Sequence, residues 1–410
     1  MEINIHRVMK GIEKLSEFNS TPEKGCTRYS YSKEDLLARE YLINQMKEAG
    51  FEVSVDNIGN IKGLLKGTEE KLPIVISGSH IDTVKHGGNY DGILGVVAAI
   101  EIGRVIKENN LKHRRGYQVV IFTEEEGSNF SVNLLGSKAI AGKIEFEDIK
   151  DLKDSMGIYM VDMIEKLGVN PRKVSECRMP KEEIHSMIEL HIEQGRVLDE
   201  ENISVGIVKG INALNWYEVK IEGQANHAGA TPMKYRKDAL VEASRLIANI
   251  PDIVEKLGDE SNVATVGVIE CKPNLPNVIP KEVKFTIDLR GIEPDTNKRI
   301  LEEIKNELKK IENGGVKTSI KELTKAKETK SNEEILKIIE EKALKREISY
   351  KLMYSGSNHD TSIISEICDV AMIFVPSVNG SSHCPEEYTK KIDIQNGCQL
   401  LLDTIEELIK

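Results

Sequence analysis

Two short apolar runs flanking a helix rich in small residues restrict the first third of this chain to an α/β arrangement. Pro73-Ile74-Val75-Ile76-Ser77-Gly78 and Gln118-Val119-Val120-Ile121-Phe122-Thr123 each read as a short buried strand. Between them, Gly92 to Ile106 predicts a helix with small residues where it would cross a sheet. Strands that alternate with helices imply a largely parallel core. Upstream, Ser32-Lys33-Glu34-Asp35 is a capping-box-like start, followed by apolar spacing through Leu36, Leu37, Tyr41, Leu42 and Met46. Gly50 suits the stop of that helix.

From about residue 211 the pattern changes. Trp216 to Glu222 alternates as a strand with one buried face, and a helical pattern runs from Arg236 to about Leu257. Val263–Ile269 and Val283–Leu289 read as strands, and Asp295–Ile311 as a helix capped by Asp295. This β-α-β-β-α order predicts a small sheet with two helices on one face, inserted into the first domain. The polar stretch from Lys325 to Glu333 marks the return. The expected boundaries are 1–210 with 328–410 for the first domain and 211–327 for the insert. A length of 410 residues fits two lobes better than one.

Composition narrows the class further. No apolar run approaches the ~18–20 residues needed to span a bilayer, and the N-terminal residues lack the pattern of a secretory signal. The net charge of −11, with Lys and Arg dispersed among acids, argues against a nucleic-acid partner. Six scattered cysteines without a CxxC pair do not resemble a disulfide framework. The expectation is a cytoplasmic protein.

Five loops carry the residues able to do chemistry. Ser79-His80-Ile81-Asp82-Thr83 directly follows a predicted strand, where α/β sheets bind ligands. There His80 is a natural metal ligand, and Asp82 could orient its ring as an outer carboxylate. Asn89-Tyr90-Asp91-Gly92 places an Asp at the opening of the next helix. Glu124-Glu125-Glu126-Gly127 puts three acids at a strand end, where they repel unless something positive sits among them. His191 lies within the apolar-flanked run Ile188 to Gly195, and His383 within Ser382-His383-Cys384-Pro385-Glu386-Glu387. Singly, each has a structural reading: a surface histidine, a helix cap, a solvated acidic loop or a core histidine. Five such motifs at successive loops point instead to a metal site.

The ordered set SHIDT, NYDG, EEEG, ELHIEQG, NHAGATPM, LPNVIP, DLRG and SSHCPEEYT resembles the metal-dependent aminoacylase/carboxypeptidase superfamily over nearly the whole chain. The likeness is greatest to its amidase/carbamoylase branch, which includes N-carbamoyl-L-amino acid hydrolases, allantoate amidohydrolases and ureidopropionases. The resemblance implies an α/β catalytic domain with a mostly parallel central sheet and a smaller inserted α+β lid/dimerisation domain. It implies two divalent ions per subunit: His80 and His191 on one, Glu126 and His383 on the other, and Asp91 bridging. Glu125 matches the general base. Histidine and carboxylate ligands suit Zn, Mn, Co or Ni.

The same likeness assigns substrate roles. Gln194 matches a residue that recognises the ureido or amide group, and His227 one that stabilises the oxyanion across a homodimer. Asn277 and Arg290 match groups that bind the substrate carboxylate, a task suited to the planar guanidinium. The implied reaction is hydrolysis of a linear C–N bond in an N-carbamoyl-L-amino acid or a related ureido acid such as allantoate. The alternatives are an aminoacylase or dipeptidase with the same metals, or a non-catalytic metal-binding module. Two positions depart from the branch. Asn129 stands where Arg is usual, and Gly356-Ser357-Asn358-His359-Asp360 replaces Gly-Ala-Gly-His-Asp.

Overall fold

Apolar strands without alternation need cover on both faces, and the first of two structural units supplies it. The computed structural model describes residues 1–410. Met1–Lys209, Ser331–Met353 and Asn358–Lys410 make up one unit, and Gly210–Lys330 with Tyr354–Ser357 the other. The second unit thus includes a four-residue return, Tyr354–Ser357, that the sequence reading left in the first.

One sheet contains β1 (Glu52–Val55), β2 (Ile61–Leu65), β3 (Ile74–His80), β4 (Tyr117–Phe122), β5 (Ile184–Ile192) and β6 (Val205–Ile211). It is completed by β12 (Thr329–Lys330), β13 (Tyr350–Ser355) and β14 (Asp369–Val375). The spatial order is β1-β2-β4-β3-β5-β14-β6-β12, with β13 also pairing to β6. Its centre, β4-β3-β5-β14, is parallel, while β1, β2 and β6 pair antiparallel at the flanks. Helices Ile5–Ser16, Ile93–Glu108 and Lys391–Leu408 cover one face through Val8, Val96, Ile100, Leu401 and Ile405. The other face packs Ile76, Val120, Phe122 and Met187 against Ile140 and Ile364. The expected helix start is present: Ser32 accepts the Asp35 N–H and the helix runs Lys33–Glu48. No helix is long and apolar enough to cross a membrane.

The second unit is an antiparallel sheet of β7 (Ala213–Glu222), β8 (Val263–Thr265), β9 (Ile269–Lys272), β10 (Glu282–Gly291) and β11 (Lys317–Ala326). Alternation sends Val219, Ile221, Val283, Phe285 and Ile287 to one face. Helices Ala239–Leu257 and Pro294–Glu312 cover that face with Leu246, Ile250, Ile300 and Ile304. Two expectations need correction, and one strand was missed. The run 263–269 is not one strand; it breaks after Thr265 and resumes at Ile269. Asp295 is not the cap; Glu293 holds that position and Pro294 opens the helix, since its fixed φ and missing N–H suit the first turn. Strand β11 was not expected, because its residues are mostly exposed and it sits at a sheet edge.

Phe285 is 1% exposed beneath both helices, whereas Trp216 lies on the opposite face and is 42% exposed. Phe285→Ala should cost about 3–5 kcal/mol through lost burial and a cavity. Trp216→Ala should cost less than half of that. Urea unfolding of the two variants measures both.

Candidate metal centre

Four adjacent parallel strands end on the same side of the sheet, so the loops leaving them converge. His80 closes β3 and is paired with Phe122 on β4; His191 lies near the end of β5 and is paired with Phe374 on β14. The acidic loop follows β4, and His383 lies in the irregular segment after β14.

Asp91 is the meeting point. His80 Nε2 and His191 Nε2 lie 3.5 and 3.2 Å from its Oδ1. His383 Nε2 lies 3.2 Å from its Oδ2 and 3.3 Å from Glu126 Oε1. Two donor trios therefore share one carboxylate: His80-Asp91-His191 and Asp91-Glu126-His383. Glu125 belongs to neither; its Oε2 stands 3.7 Å from His80 Nε2. Gly92 makes this possible, with φ at +66° and a position where a Cβ would lie 2.5 Å from the His80 ring.

The chemistry of the trios fits divalent ions. His80 Nδ1 and His191 Nδ1 each lie 2.9 Å from a backbone carbonyl, of Asp82 and Ile192 respectively. A carbonyl only accepts, so each Nδ1 carries a proton and Nε2 is the nitrogen turned towards Asp91, with a lone pair there whenever the ring is neutral. Gly92 N–H also points at His191 Nε2 (3.2 Å). Lone pairs facing a carboxylate repel unless a cation or proton lies between. Ligand atoms each ~2.0–2.2 Å from one ion stand roughly 3–3.5 Å apart, which is the spacing present here.

Burial alone would suppress ionisation of Asp91, but the imidazoles, led by His191, hold its carboxyl well below the usual range. His383, hydrogen-bonded to Asp91 and Glu126, is pushed up to about 11. Burial raises Glu125 well above an ordinary carboxylate against the opposing pull of His80. Burial likewise lifts Glu124 to about 8, Asp360 to about 8 and Glu387 to about 7.

The three acids of the 124–126 loop diverge rather than confront one another. Glu124 turns inward and its Oε1 accepts the Asn129 and Phe130 N–H groups. Glu125 faces His80 and Glu126 faces His383. Asp82 acts differently from the expectation. Its carbonyl, not its carboxylate, orients the His80 ring; the carboxylate instead accepts the N–H groups of Glu125 and Glu126 at 3.2 and 3.1 Å. Oδ1 is left 3.9 Å from His80 Nδ1. Asn129 donates its amide to the Ser30 carbonyl and so serves the loop's own bonding.

Gln194 donates to Asp91 Oδ2 at 2.7 Å. In the second unit, the backbone of Asn226–Ala228 pairs with that of Asn277–Ile279, with His227 opposite Val278; His227 and Asn277 are both exposed. His227 Nδ1 accepts N–H groups from Gly229 and Ala230, so its proton sits on Nε2. Arg290 gives Nε and Nη2 to Asp288 and Nη1 to the Gly356 carbonyl. One N–H on each Nη remains, forming an end-on fork. Sequence reasoning missed Glu387, His359 and Glu189. His359 stacks edge-on against His191 at 4.5 Å, and Glu189 accepts from Ser79 and Thr361 hydroxyls. An acid buried by tertiary contacts has no local signature.

Residues 76–407 match the protein family described as peptidase family M20/M25/M40. The chain belongs to that family. A relative named N-carbamoyl-L-amino-acid amidohydrolase, from Pseudomonas sp. (strain NS671), is 36% identical over 405 residues, covering 98% of each chain. The allantoate amidohydrolase of Escherichia coli (strain K12) is 34% identical over 388 residues, 94% of each chain. A crystal structure of an amidase of the hydantoinase/carbamoylase family from Burkholderia multivorans superposes with a TM-score of 0.93 at 29% identity. That match covers 100% of this chain and 98% of the other. Members of the M20 family are metal-dependent, in keeping with the two donor trios.

Two tests follow from this geometry. Asp82→Ala should weaken divalent-ion binding about 10–100-fold by releasing Glu125 and Glu126, measured by competition with a chromophoric chelator. The second concerns pH. Glu124, Asp360 and Glu387 have folded-state pKa values above those of free carboxyls, and His383 one above that of free imidazole. Each contributes stability that is complete below its unfolded pKa and fades as pH rises to the folded value. The ion-stripped chain should therefore melt at a lower temperature at pH 8.5 than at 6.5, and added divalent ion should raise the melting temperature more at the higher pH. An equal rise at both pH values would contradict this assignment of charge.

Proposed function

We propose that this chain is a metal-dependent amidohydrolase that cleaves the linear C–N bond of an N-carbamoyl-L-amino acid or a related ureido acid such as allantoate. The observation that carries the reading is Glu125: a buried carboxyl next to His80, outside both donor trios, and so free to move a proton. Full-length likeness to hydrolases acting on ureido compounds supports the substrate class.

Ions held between His80, Asp91 and His191 and between Asp91, Glu126 and His383 would supply Lewis acidity for the scissile carbonyl. Glu125 takes the proton of the attacking water and returns it to the leaving nitrogen. A raised proton affinity helps the second half of that cycle, because the group holds the proton until the amine accepts it. Gln194 recognises the ureido group through its side-chain amide. The end-on fork of Arg290, with Asn277, grips the substrate carboxylate bidentately. His227 presents Nε2–H as an oxyanion donor and acts across a homodimer formed by the inserted unit, which also serves as the lid. For a carbamoyl substrate, one water yields the free amino acid, carbon dioxide and ammonia. We place the enzyme in the cytoplasm on its cysteine usage and charge.

Glu125→Gln should lower kcat by about 10²–10⁴-fold, the usual share of general acid–base catalysis, with ion content unchanged. Ammonia release from N-carbamoyl-L-amino acids and allantoate is compared with cleavage of N-acetyl amino acids and dipeptides. Turnover confined to the second group would replace this reading with an aminoacylase or dipeptidase. Sedimentation of the active enzyme as a monomer would remove the role of His227 in trans.

A further inference from the structure

The metal-centre loops have little regular structure of their own. His80 and His191 sit on strands, but Asp91 lies in the turn before a helix and His383 in an irregular segment with φ at +57°. Neither segment is held by a sheet ladder, yet their side chains must meet to about an ångström for one carboxylate to serve both trios. Something must register the two against each other.

Glu387 occupies that position. It is 5% exposed. Its Oε1 accepts the backbone N–H of Tyr90 at 2.8 Å and of Asp91 at 3.1 Å, across 297 and 296 positions of chain. Its Oε2 lies 3.4 Å from Ser382 Oγ, and that hydroxyl lies 3.1 Å from Asp91 Oδ2. One carboxylate thus holds the backbone of Asp91 and, through the residue before His383, reaches the outer oxygen of the same Asp. Room for it comes from Gly88, where a Cβ would stand 2.1 Å from Glu387 Oε1 and 2.3 Å from its Cβ. Gly88 and Gly92 therefore bracket Asp91, one making way for Glu387 and the other for His80. The edge-on pair Tyr90–Tyr388, 6.0 Å apart, joins the same two segments from the neighbouring residues.

We propose that Glu387 is a positioning residue that locks Asp91 and His383 in register, so that both donor trios form together, with Gly88 as the space that admits it. This rests on the reading of the trios as ion sites. Glu387 belongs to neither donor trio; its acceptor geometry does the work.

The test uses the full-length, chelator-stripped chain titrated with Zn²⁺ against a chromophoric competitor, alongside circular dichroism of the ion-free protein. Glu387→Ala should lower Zn²⁺ affinity about 10–100-fold, the range for lost outer-shell partners, with the ion-free fold kept. Gly88→Ala should do the same by expelling Glu387, and the double variant should be no worse than either single one, because both remove one contact set. Glu387→Gln keeps an acceptor for the two N–H groups and should retain most of the affinity. The visible spectrum of the Co²⁺-loaded protein should change in Glu387→Ala and recover in Glu387→Gln. Wild-type-like Zn²⁺ binding in Glu387→Ala, additive losses in the double variant, or equal losses for Gln and Ala would each overturn the assignment. If Glu387→Ala does not fold, Gly88→Ala decides, and unchanged affinity there overturns it. A wild-type chain that takes up no Zn²⁺ would instead overturn the ion reading, and this assignment with it.

Discussion

A single buried carboxylate facing three imidazoles organises the catalytic unit. Asp91 is desolvated, and it would be costly to ionise there without compensation. Its charge is tolerated because His80, His191 and His383 all present nitrogen to it within 3.5 Å. The same proximity leaves lone pairs opposed, which only a cation or a proton between them can relieve. The need for a positive centre is thus built into the side chains, and each element that approaches Asp91 is shaped by it: Gly92 by the His80 ring, Gly88 by Glu387, the acidic loop by its divergence.

The fold makes this meeting possible by topology. Parallel strands β4, β3, β5 and β14 discharge their loops on one side, so residues 80, 126, 191 and 383 need no long excursion to converge. The flanking antiparallel strands widen the sheet, and the turn between β1 and β2 reaches the same side, where Asn60 Oδ1 accepts the Thr123 N–H at the end of β4. In the second unit the physical logic is different. Alternation buries one face under two helices and leaves the other polar, so His227, Asn277 and Arg290 can be presented from loops and strand without disturbing its core.

Much of this was legible in the sequence, for identifiable reasons. Buried strands announce themselves as short β-branched runs, so His80, the acidic run 124–126 and the parallel centre could be read from local pattern, whereas the separate roles of Glu125 and Glu126 came only from the family resemblance. The helix at Lys33–Glu48 carried its own cap. What escaped depends on partners far away in the chain. Strand β11 is polar because it lies at an edge, so period-2 hydrophobicity is weak there. Asp295 looks like a cap, but Pro294 sets the start one turn position earlier. Asp82 was expected to orient His80 with its carboxylate, yet two N–H groups some forty residues on claim that carboxylate. Glu387 follows another acid, exposed Glu386, and nothing in the local sequence distinguishes them; only Tyr90 and Asp91, brought in by the fold, bury one and leave the other in solvent.

These omissions share a cause that bears on the chemistry. A hydrolytic centre needs acids packed closely enough to raise their proton affinity, and such packing destabilises the ionised apo state. Backbone N–H groups answer part of that cost: Asp82, Glu124 and Glu387 each accept two of them. Glu125 has no such answer among the backbone donors; it stands beside His80, with Glu126, Asp360 and Asp82 close enough to raise its proton affinity further. Its carboxyl has a raised proton affinity and stands 3.7 Å from His80 Nε2, outside both trios, a place from which a carboxyl can take up a proton and give it back. The acids that hold the loops are engaged by backbone N–H groups, and Glu125, beside His80 and outside both trios, is free to do chemistry.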